Sequence, residues 1–139
     1  MTDVLDASAI LAFLQGESGA TAVEEILERG CETSAVNWSE VAQKVRAAGG
    51  DWAIASALLS TYAVQVRDAT AVDAEHAAGL WRRGSVLSLA DRFALALAHR
   101  LDATVWTADT AWGEDERIRQ IRRAPTSQVG AEARRRACG

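Results

Sequence analysis

Four acidic residues fall where secondary structure is predicted to change, and their side chains are the most suited to chemistry in this sequence. They are Asp6, Glu40, Asp91 and Asp109. Each is flanked by apolar residues that belong in a core, and a carboxylate beside a core costs free energy unless something pairs with it. If the fold brings the four together, they repel one another, and a divalent cation offsets that repulsion. Hard cations such as Mg2+ take carboxylate oxygens and keep several waters, a combination suited to cutting phosphodiesters.

Two hydroxyl residues accompany these acids. Thr107 and Asp109 are two positions apart at the end of a predicted strand, so their side chains face the same side. Thr107 would therefore orient Asp109 or hydrogen-bond a metal-bound water. Ser8 follows Asp6 by two positions at a predicted helix start. Its hydroxyl would cap the helix, hold the Asp6 carboxylate, or do both.

Each acid also has a purely structural explanation. Asp6 fits a helix N-cap, Asp91 a capping-box partner and Asp109 a turn residue. Glu40 fits an i, i+4 ion pair with Lys44, worth only about 0.2–0.5 kcal/mol. Taken as a set, the structural explanation weakens, because four independent structural acids need not fall on one rim of a domain.

Other candidate residues are weaker. His76 and His99 lie far apart in the chain and form no metal-ligand spacing with cysteine, which predicts surface or helix-flank positions. Cys31, on a predicted strand, is expected to be a small core residue. The five tryptophans are numerous for this length. Aromatic residues at such spacing usually fill a core or an interface, and the pattern leaves open that one or two stack on bases.

The elements that must position these residues alternate between strands and helices. Strands are predicted over residues 2–6, 31–36, 63–67, 103–107 and, at a terminal edge, 118–122. Helices are predicted over 8–15, 18–29 with Ser18 as N-cap, from Asn37 or Ser39 to about 48, over 52–62 after Asp51, from Thr70 to about 83, and from Ser88 to about 101, with a short helix after Asp109. This order predicts an α/β fold with a mostly parallel sheet.

The four acids share one rim of that sheet. Ligands of open parallel sheets bind outside the carboxyl ends of the strands, near a switch in strand order. Asp6 and Asp109 are predicted at such strand ends. Glu40 and Asp91 are predicted in the first turns of helices that enter from the same rim. All four therefore have a route to one cleft.

Length and charge limit the classes of protein to consider. The 139 residues fit one domain. No apolar run reaches the roughly 18 residues of a membrane span, no signal peptide is evident, and two cysteines predict reduced thiols in the cytoplasm.

Charge is distributed unevenly along the chain. Residues 1–116 have a net charge of −10, whereas residues 117–139 carry seven arginines and one acid. That basic segment indicates a polyanionic or acidic partner, or simply a solvated terminus. The overall acidity argues against tight nonspecific nucleic-acid binding through charge alone.

Four segments together resemble the signature blocks of the PIN-domain family. They are VLDASAILAFL (4–14), NWSEVAQ (37–43), SLADRFALALA (88–98) and VWTAD (105–109). Their spacing is similar to that of the VapC-like branch, the ribonuclease toxins of prokaryotic toxin–antitoxin pairs. The resemblance covers roughly residues 1–123, which we take as the nuclease domain, leaving 124–139 as an arginine-rich tail. It implies a three-layer α/β/α fold, an RNA substrate, a small antitoxin partner and a homodimer.

The resemblance also assigns roles at the acids. The family's acidic residues map onto Asp6, Glu40, Asp91 and Asp109, with Ser8 and Thr107 in support. Asp6, Asp91 and Asp109 are then expected to hold one or two Mg2+ or Mn2+ ions, and Glu40 to ligate directly or through water. A metal-activated water leaves the RNA 2′-hydroxyl out of the reaction, so 5′-phosphate and 3′-hydroxyl ends are expected.

The chain departs from the family pattern after residue 109. Some members carry a further acid there, and whether Glu114, Asp115 or Glu116 takes that part stays open.

Three alternatives remain. The first is a metal-dependent phosphatase or phosphotransferase. The haloacid-dehalogenase type needs a second Asp two positions after the first, where this chain has Ser8. A response-regulator receiver domain needs a lysine late in the chain at a strand end, but the only lysine here is Lys44. The second is a non-catalytic PIN-like binding module, against which the intact acidic set argues. The third is an RNA-processing nuclease without an antitoxin, which a small upstream antitoxin gene would argue against.

Overall fold

A computed structural model describes residues 2–122 of the chain. The predicted arginine-rich tail, 124–139, lies outside these residues, so the boundary at 123 stays a prediction. Between residues 2 and 122, strands and helices alternate in the following order: β1 (Asp3–Leu5), α1 (Ala7–Leu14), α2 (Ala20–Arg29), β2 (Cys31–Ser34), α3 (Ala35–Ala47), α4 (Trp52–Ser60), β3 (Val64–Arg67), α5 (Ala71–Gly79), α6 (Leu89–Leu101), β4 (Thr104–Thr107), a 3-10 turn (Thr110–Trp112) and β5 (Ile118–Gln120).

The five strands form one parallel sheet in the order β3-β2-β1-β4-β5. This confirms the predicted α/β fold. The chain runs outward from β1 through β2 to β3, then returns to the other side of β1 for β4 and β5. The strand order therefore switches at the β1–β4 pair, where Leu5 lies beside Trp106. Ligands of parallel sheets bind at the carboxyl ends beside such a switch, and here β1 ends just before Asp6.

Two buried clusters cover the two faces of the sheet. Consecutive strand residues point to opposite faces, and Val4 and Leu5 accordingly belong to different clusters. Leu5 packs with Ile10 of α1 and Leu27 of α2, whereas Val4 packs with Leu97 of α6. Helices on both faces give the three-layer arrangement, and they bring the start of α1 and the start of α6 to the same rim.

The start of α3 differs from the prediction. Ser34, rather than Asn37 or Ser39, is its N-cap, and the Ser34 hydroxyl accepts a 3.2 Å hydrogen bond from the Val36 N–H. The strand predicted over 31–36 therefore ends at Ser34. Glu40 consequently lies in the second turn of α3, not the first. Asn37 becomes a fully buried helical residue.

Two other helix ends also correct the prediction. Ser18 does not cap α2, because Gly19 takes the cap position at φ 92° and a Cβ there would lie 2.8 Å from the Ile121 side chain. Helix α5 ends at Gly79 rather than near residue 83. Arg82 contributes to this end, since its Nη1 donates to the carbonyls of Gly79 and Trp81 at 2.8 Å each.

The predicted caps Asp51, Thr70 and Ser88 are confirmed. In the part of the chain that the structure covers, no helix has the length and apolar character to cross a membrane.

Candidate active site

Asp6 is the most buried of the four acids, with 2% of its surface exposed. It follows β1 and is the N-cap of α1, where its Oδ1 accepts from the Ala9 N–H at 2.8 Å. The Ser8 hydroxyl donates to the same oxygen at 2.8 Å, and the Thr107 hydroxyl donates to Oδ2 at 2.5 Å. Three donors thus hold this carboxylate in one orientation at the strand switch.

Burial raises the pKa of Asp6 to about 6. The hydrogen bonds from Thr107, Ala9 and Ser8 lower the pKa, because they favour the charged form, and the nearby charge of Asp91 raises it. Burial therefore outweighs three hydrogen bonds. The ionised form of Asp6 is poorly stabilised by the protein alone.

Asp91 lies in the first turn of α6 and closes a capping box. Its N–H donates to the Ser88 hydroxyl at 3.1 Å, and the Ser88 N–H donates to its Oδ2 at 2.8 Å. Burial raises the pKa of Asp91, the hydrogen bonds from Ser88 oppose the rise, and the charges of Glu40 and Asp109 add to it. Asp91 thus interacts electrostatically with Glu40 and Asp109, as Asp6 does with Asp91. We call these four residues the acidic cluster.

The two remaining acids have local partners. The Lys44 ammonium lies 3.2 Å from the Glu40 carboxylate, as the i, i+4 spacing predicts. Asp109 follows β4 and accepts from the Ala111 N–H at 3.0 Å, so it begins the 3-10 turn. Each structural explanation offered for a single acid therefore holds in the fold, and none prevents the four from sharing one rim.

Thr107 and Ser8 connect the carboxylates to the backbone of β4. The Thr107 hydroxyl accepts from the Asp109 N–H at 3.0 Å while it donates to Asp6. The Ser8 hydroxyl accepts from the Ala108 N–H at 2.9 Å. Both hydroxyls thus tie the end of β4 to Asp6. Ser8 holds the Asp6 carboxylate, as predicted, whereas the bond from Thr107 to Asp6 was not expected from the sequence.

The carboxylates do not converge as placed. Among residues 2–122, no group of three or more His, Cys, Asp or Glu side chains is arranged so that it could hold a metal ion. The donors fit Mg2+ or Mn2+ in kind, since both prefer oxygen ligands. The carboxylates of the acidic cluster also repel one another, and the positive charge of a cation would reduce that repulsion. Binding an ion would nevertheless require side chains to leave their capping bonds.

The later acids serve the loop before β5. Asp115 accepts from the N–H groups of Arg117 and Ile118 at 2.8 and 2.9 Å, and Glu114 accepts from the Gln120 N–H at 3.1 Å. Glu114 is close to the acidic cluster through Gln120, which also donates to the Asp109 carbonyl. Whether Glu114 or a neighbour joins the cluster stays open.

Other candidate residues take structural places. The rings of His76 and His99 stack between α5 and α6 with centroids 4.2 Å apart. Cys31 is buried, as predicted, and burial raises the pKa of its thiol to about 12, so the thiol is unreactive at neutral pH. Trp38 and Trp52 contact each other edge to face, and both pack against the buried cluster that contains Leu5.

A groove runs beside the acidic cluster, between the starts of α3 and α6. Its volume is about 650 Å³, and Glu40 lines it together with Val36, Ser39, Ser88 and Leu89. Small and apolar side chains make up most of this lining. The groove opens at the carboxyl end of the sheet, where a ligand of a parallel sheet is expected.

A family model of the PIN domain matches residues 4–117. The chain belongs to the PIN-domain family. No match was found among curated proteins.

Solved structures that are similar to this chain include toxins and toxin–antitoxin complexes. This PIN domain is similar to a toxin–antitoxin complex from Klebsiella pneumoniae, with a TM-score of 0.68, 19% identity, and coverage of 88% of this chain and 100% of that one. It is also similar to VapC20, a sarcin–ricin-loop-cleaving toxin from Mycobacterium tuberculosis, with a TM-score of 0.66, 18% identity and coverage of 83% and 98%. A third similar structure is DNA-bound VapBC from Salmonella typhimurium, with a TM-score of 0.66, 17% identity, and coverage of 87% of this chain and 98% of that one. At these identities the likeness establishes the fold.

Proposed function

We propose that this PIN domain is a Mg2+- or Mn2+-dependent endoribonuclease and the toxin of a toxin–antitoxin pair. The observation that carries the proposal is the acidic cluster at the strand switch. Burial raises the pKa of Asp6 and of Asp91, and the charges of neighbouring members of the cluster add to both shifts. Neighbouring carboxylates repel one another, and a bound cation would offset that repulsion. Family membership and the fold shared with VapC toxins support this function.

In this proposal Asp6, Asp91 and Asp109 hold the ion, and Glu40 ligates directly or through water. A bound ion supplies Lewis acidity and an activated water for attack on the phosphodiester. The rest is done by the chain. Ser8 and Thr107 hold Asp6 through hydrogen bonds of 2.8 and 2.5 Å, so this carboxylate has a defined orientation at the strand switch.

RNA is proposed to lie in the groove between α3 and α6. A single RNA strand extended along this groove would pass the hydroxyl residues Ser39 and Ser88. It would also pass Glu40, at the edge of the acidic cluster. Phosphates approach a cluster of four carboxylates only after a cation has offset the charge. Cleavage therefore depends on the ion both for attack and for substrate approach.

The antitoxin is proposed to use a second, apolar groove of about 370 Å³ between α1, α3 and α4. Leu14, Val45, Ile54 and Leu58 line it, and Ile54 is 69% exposed. An amphipathic helix fits such a groove. An arginine beyond that helix would enter the acidic cluster, because its planar fork binds carboxylates.

On α1, Leu14 lines this groove but Leu11 does not. Leu11 is only 7% exposed because it packs inside the first cluster. Trp38 packs on Trp52. A homodimer and a cytoplasmic location remain expectations from the resemblance and the cysteine content.

A non-catalytic PIN-like module is the second candidate, favoured by the lack of a converged three-ligand group in residues 2–122. The two are separated by incubating unstructured RNA with the full chain in Mn2+ or in EDTA and sequencing the product ends. The proposal expects cleavage in Mn2+ alone, 5′-phosphate ends, and loss of cleavage in Asp6→Asn. Intact RNA in Mn2+ would favour the binding module. Cleavage without growth arrest on expression would favour an RNA-processing nuclease.

A further inference from the structure

Asn37 is a fully buried amide that joins α3 to α6. Its Nδ2 donates to the Ala90 carbonyl at 3.1 Å, and Ala90 immediately precedes Asp91. Glu40 follows Asn37 by three residues on α3, so the two share a face of that helix. Through this one hydrogen bond, the helix that carries Glu40 is attached to the turn that carries Asp91.

Gln120 makes the corresponding attachment on the other side of the acidic cluster. Its Nε2 donates to the carbonyls of Asp109 and Gly113, at 2.9 Å each. These two residues flank the 3-10 turn that Asp109 caps. The edge strand β5 is thereby attached to the backbone of Asp109 itself.

Both amides leave their carbonyl oxygen unpartnered. Within residues 2–122, four buried side-chain polar atoms, these two oxygens among them, have no hydrogen-bond partner. They are Asn37 Oδ1, Arg92 Nε, Trp112 Nε1 and Gln120 Oε1. A buried acceptor without a partner costs free energy that an apolar residue of the same shape avoids. Stability alone is a poor reason for an amide at either position.

We propose that Asn37 and Gln120 are positioning residues, whose amides hold the carbonyls of Ala90 and Asp109 and so set the spacing of the acidic cluster. The assignment rests on the proposed function, because spacing matters only if the cluster binds an ion. Two elements, α3 and β5, supply the same type of hydrogen bond, one to the carbonyl of Ala90 just before Asp91 and one to the carbonyl of Asp109. Neither amide reaches an ion or a substrate in this assignment, since each acts through the backbone carbonyl that it holds.

The first test uses the metal-free full chain and amide hydrogen exchange. Asn37→Leu and Gln120→Met keep the side-chain size and remove the donor. Thr70→Ala is the matched control, because it removes a side-chain hydrogen bond to the backbone at the start of α5, away from the cluster. In Asn37→Leu, exchange at Asp91 and Arg92 should accelerate by about tenfold. In Gln120→Met, the same acceleration should appear at residues 111–113 instead.

Exchange that is unchanged at these amides, or faster across the whole chain as in a global loss of stability, would overturn the assignment. This result does not depend on whether the protein binds a metal.

The second test adds Mn2+ alone and records thermal unfolding. The Mn2+ concentration that gives half of the maximal stabilisation should rise by about tenfold in Asn37→Leu and Gln120→Met and stay at the wild-type value in Thr70→Ala. A wild-type protein that does not respond to Mn2+ would refute the proposed function, whereas hydrogen exchange would still decide the assignment. A wild-type response retained in full by both variants would overturn the assignment and leave the proposed function standing.

Discussion

Replacing Asp6 by Asn should stabilise the metal-free protein, although Asp6 receives three hydrogen bonds. Asn is close to a neutral Asp in shape. Its Oδ1 can still accept from Ser8 and the Ala9 N–H, which share Asp6 Oδ1 in the structure. Its NH2 group would face the Thr107 hydroxyl, which can turn to accept instead of donate. The substitution therefore removes the buried charge and keeps most of the hydrogen bonding.

The size of the gain follows from the pKa of Asp6, which burial raises from 3.8 to about 6. A carboxyl whose folded-state pKa is raised stabilises the fold below pH 3.8, and this contribution is lost as the pH rises through 6. Because one pKa unit corresponds to about 1.4 kcal/mol, wild type should be less stable than Asp6→Asn by about 3 kcal/mol at pH 7.5. The difference should fall to roughly half of that at pH 5 and nearly vanish at pH 3.5.

Urea unfolding in EDTA at these three pH values measures the difference. Asp73→Asn is the control of opposite sign. Burial alone would raise the pKa of Asp73, but hydrogen bonds and charge from Arg100 and Thr70 lower it below its ordinary value. Its stabilisation is present at neutral pH and lost in acid, so Asp73→Asn should destabilise at pH 7.5. An Asp6→Asn protein no more stable than wild type at pH 7.5, or a gain that does not vary with pH, would refute the reasoning.

Three further predictions concern function. Asp91→Asn should abolish RNA cleavage in Mn2+ with an unchanged circular-dichroism spectrum, and full activity in the variant would exclude Asp91 from the mechanism. Wild-type products should end in 5′-phosphate and 3′-hydroxyl groups, and cyclic-phosphate ends would exclude the activated water. Mn2+ at about 100 times its Kd should stabilise wild type by about 2.7 kcal/mol and leave the unfolding of Asp6→Asn unchanged, and an equal shift in both would place the ion elsewhere. Ile54→Asp should weaken binding of the protein encoded by the adjacent upstream gene. Val72→Asp should not, although Val72 and Ile54 are equally exposed, at 69%. Equal binding by both variants would contradict the proposed apolar groove.

Local features of the site could be predicted from the sequence because their donors and acceptors lie within a few residues. Ser88 and Asp91 are three positions apart and form the predicted capping box. Asp6 caps α1 through the Ala9 N–H, also three positions away. The alternation of strands and helices, likewise local, predicts a parallel sheet.

The long-range part of the site could not be predicted because it depends on which strands are neighbours. The Thr107–Asp6 hydrogen bond joins residues 101 positions apart, and it exists only because β4 pairs with β1. The start of α3 was misplaced for a related reason. Ser34, Asn37 and Ser39 are all favoured N-cap residue types, so residue type does not distinguish them. The bond from Asn37 to the Ala90 carbonyl of α6 is another contact between residues distant in the chain.

The acidic cluster is tolerable without a cation because most of its carboxylates also begin helical turns. Asp6, Asp91 and Asp109 each accept from a backbone N–H at such a start, at 2.8, 2.8 and 3.0 Å. Helix N-termini carry partial positive charge that favours an anion. This stabilisation is incomplete, because the pKa of Asp6 and that of Asp91 remain above their ordinary values. A cation at the cluster would therefore complete an offset that the helix starts provide only in part, in competition with the same N–H donors and, below about pH 6, with the proton on Asp6.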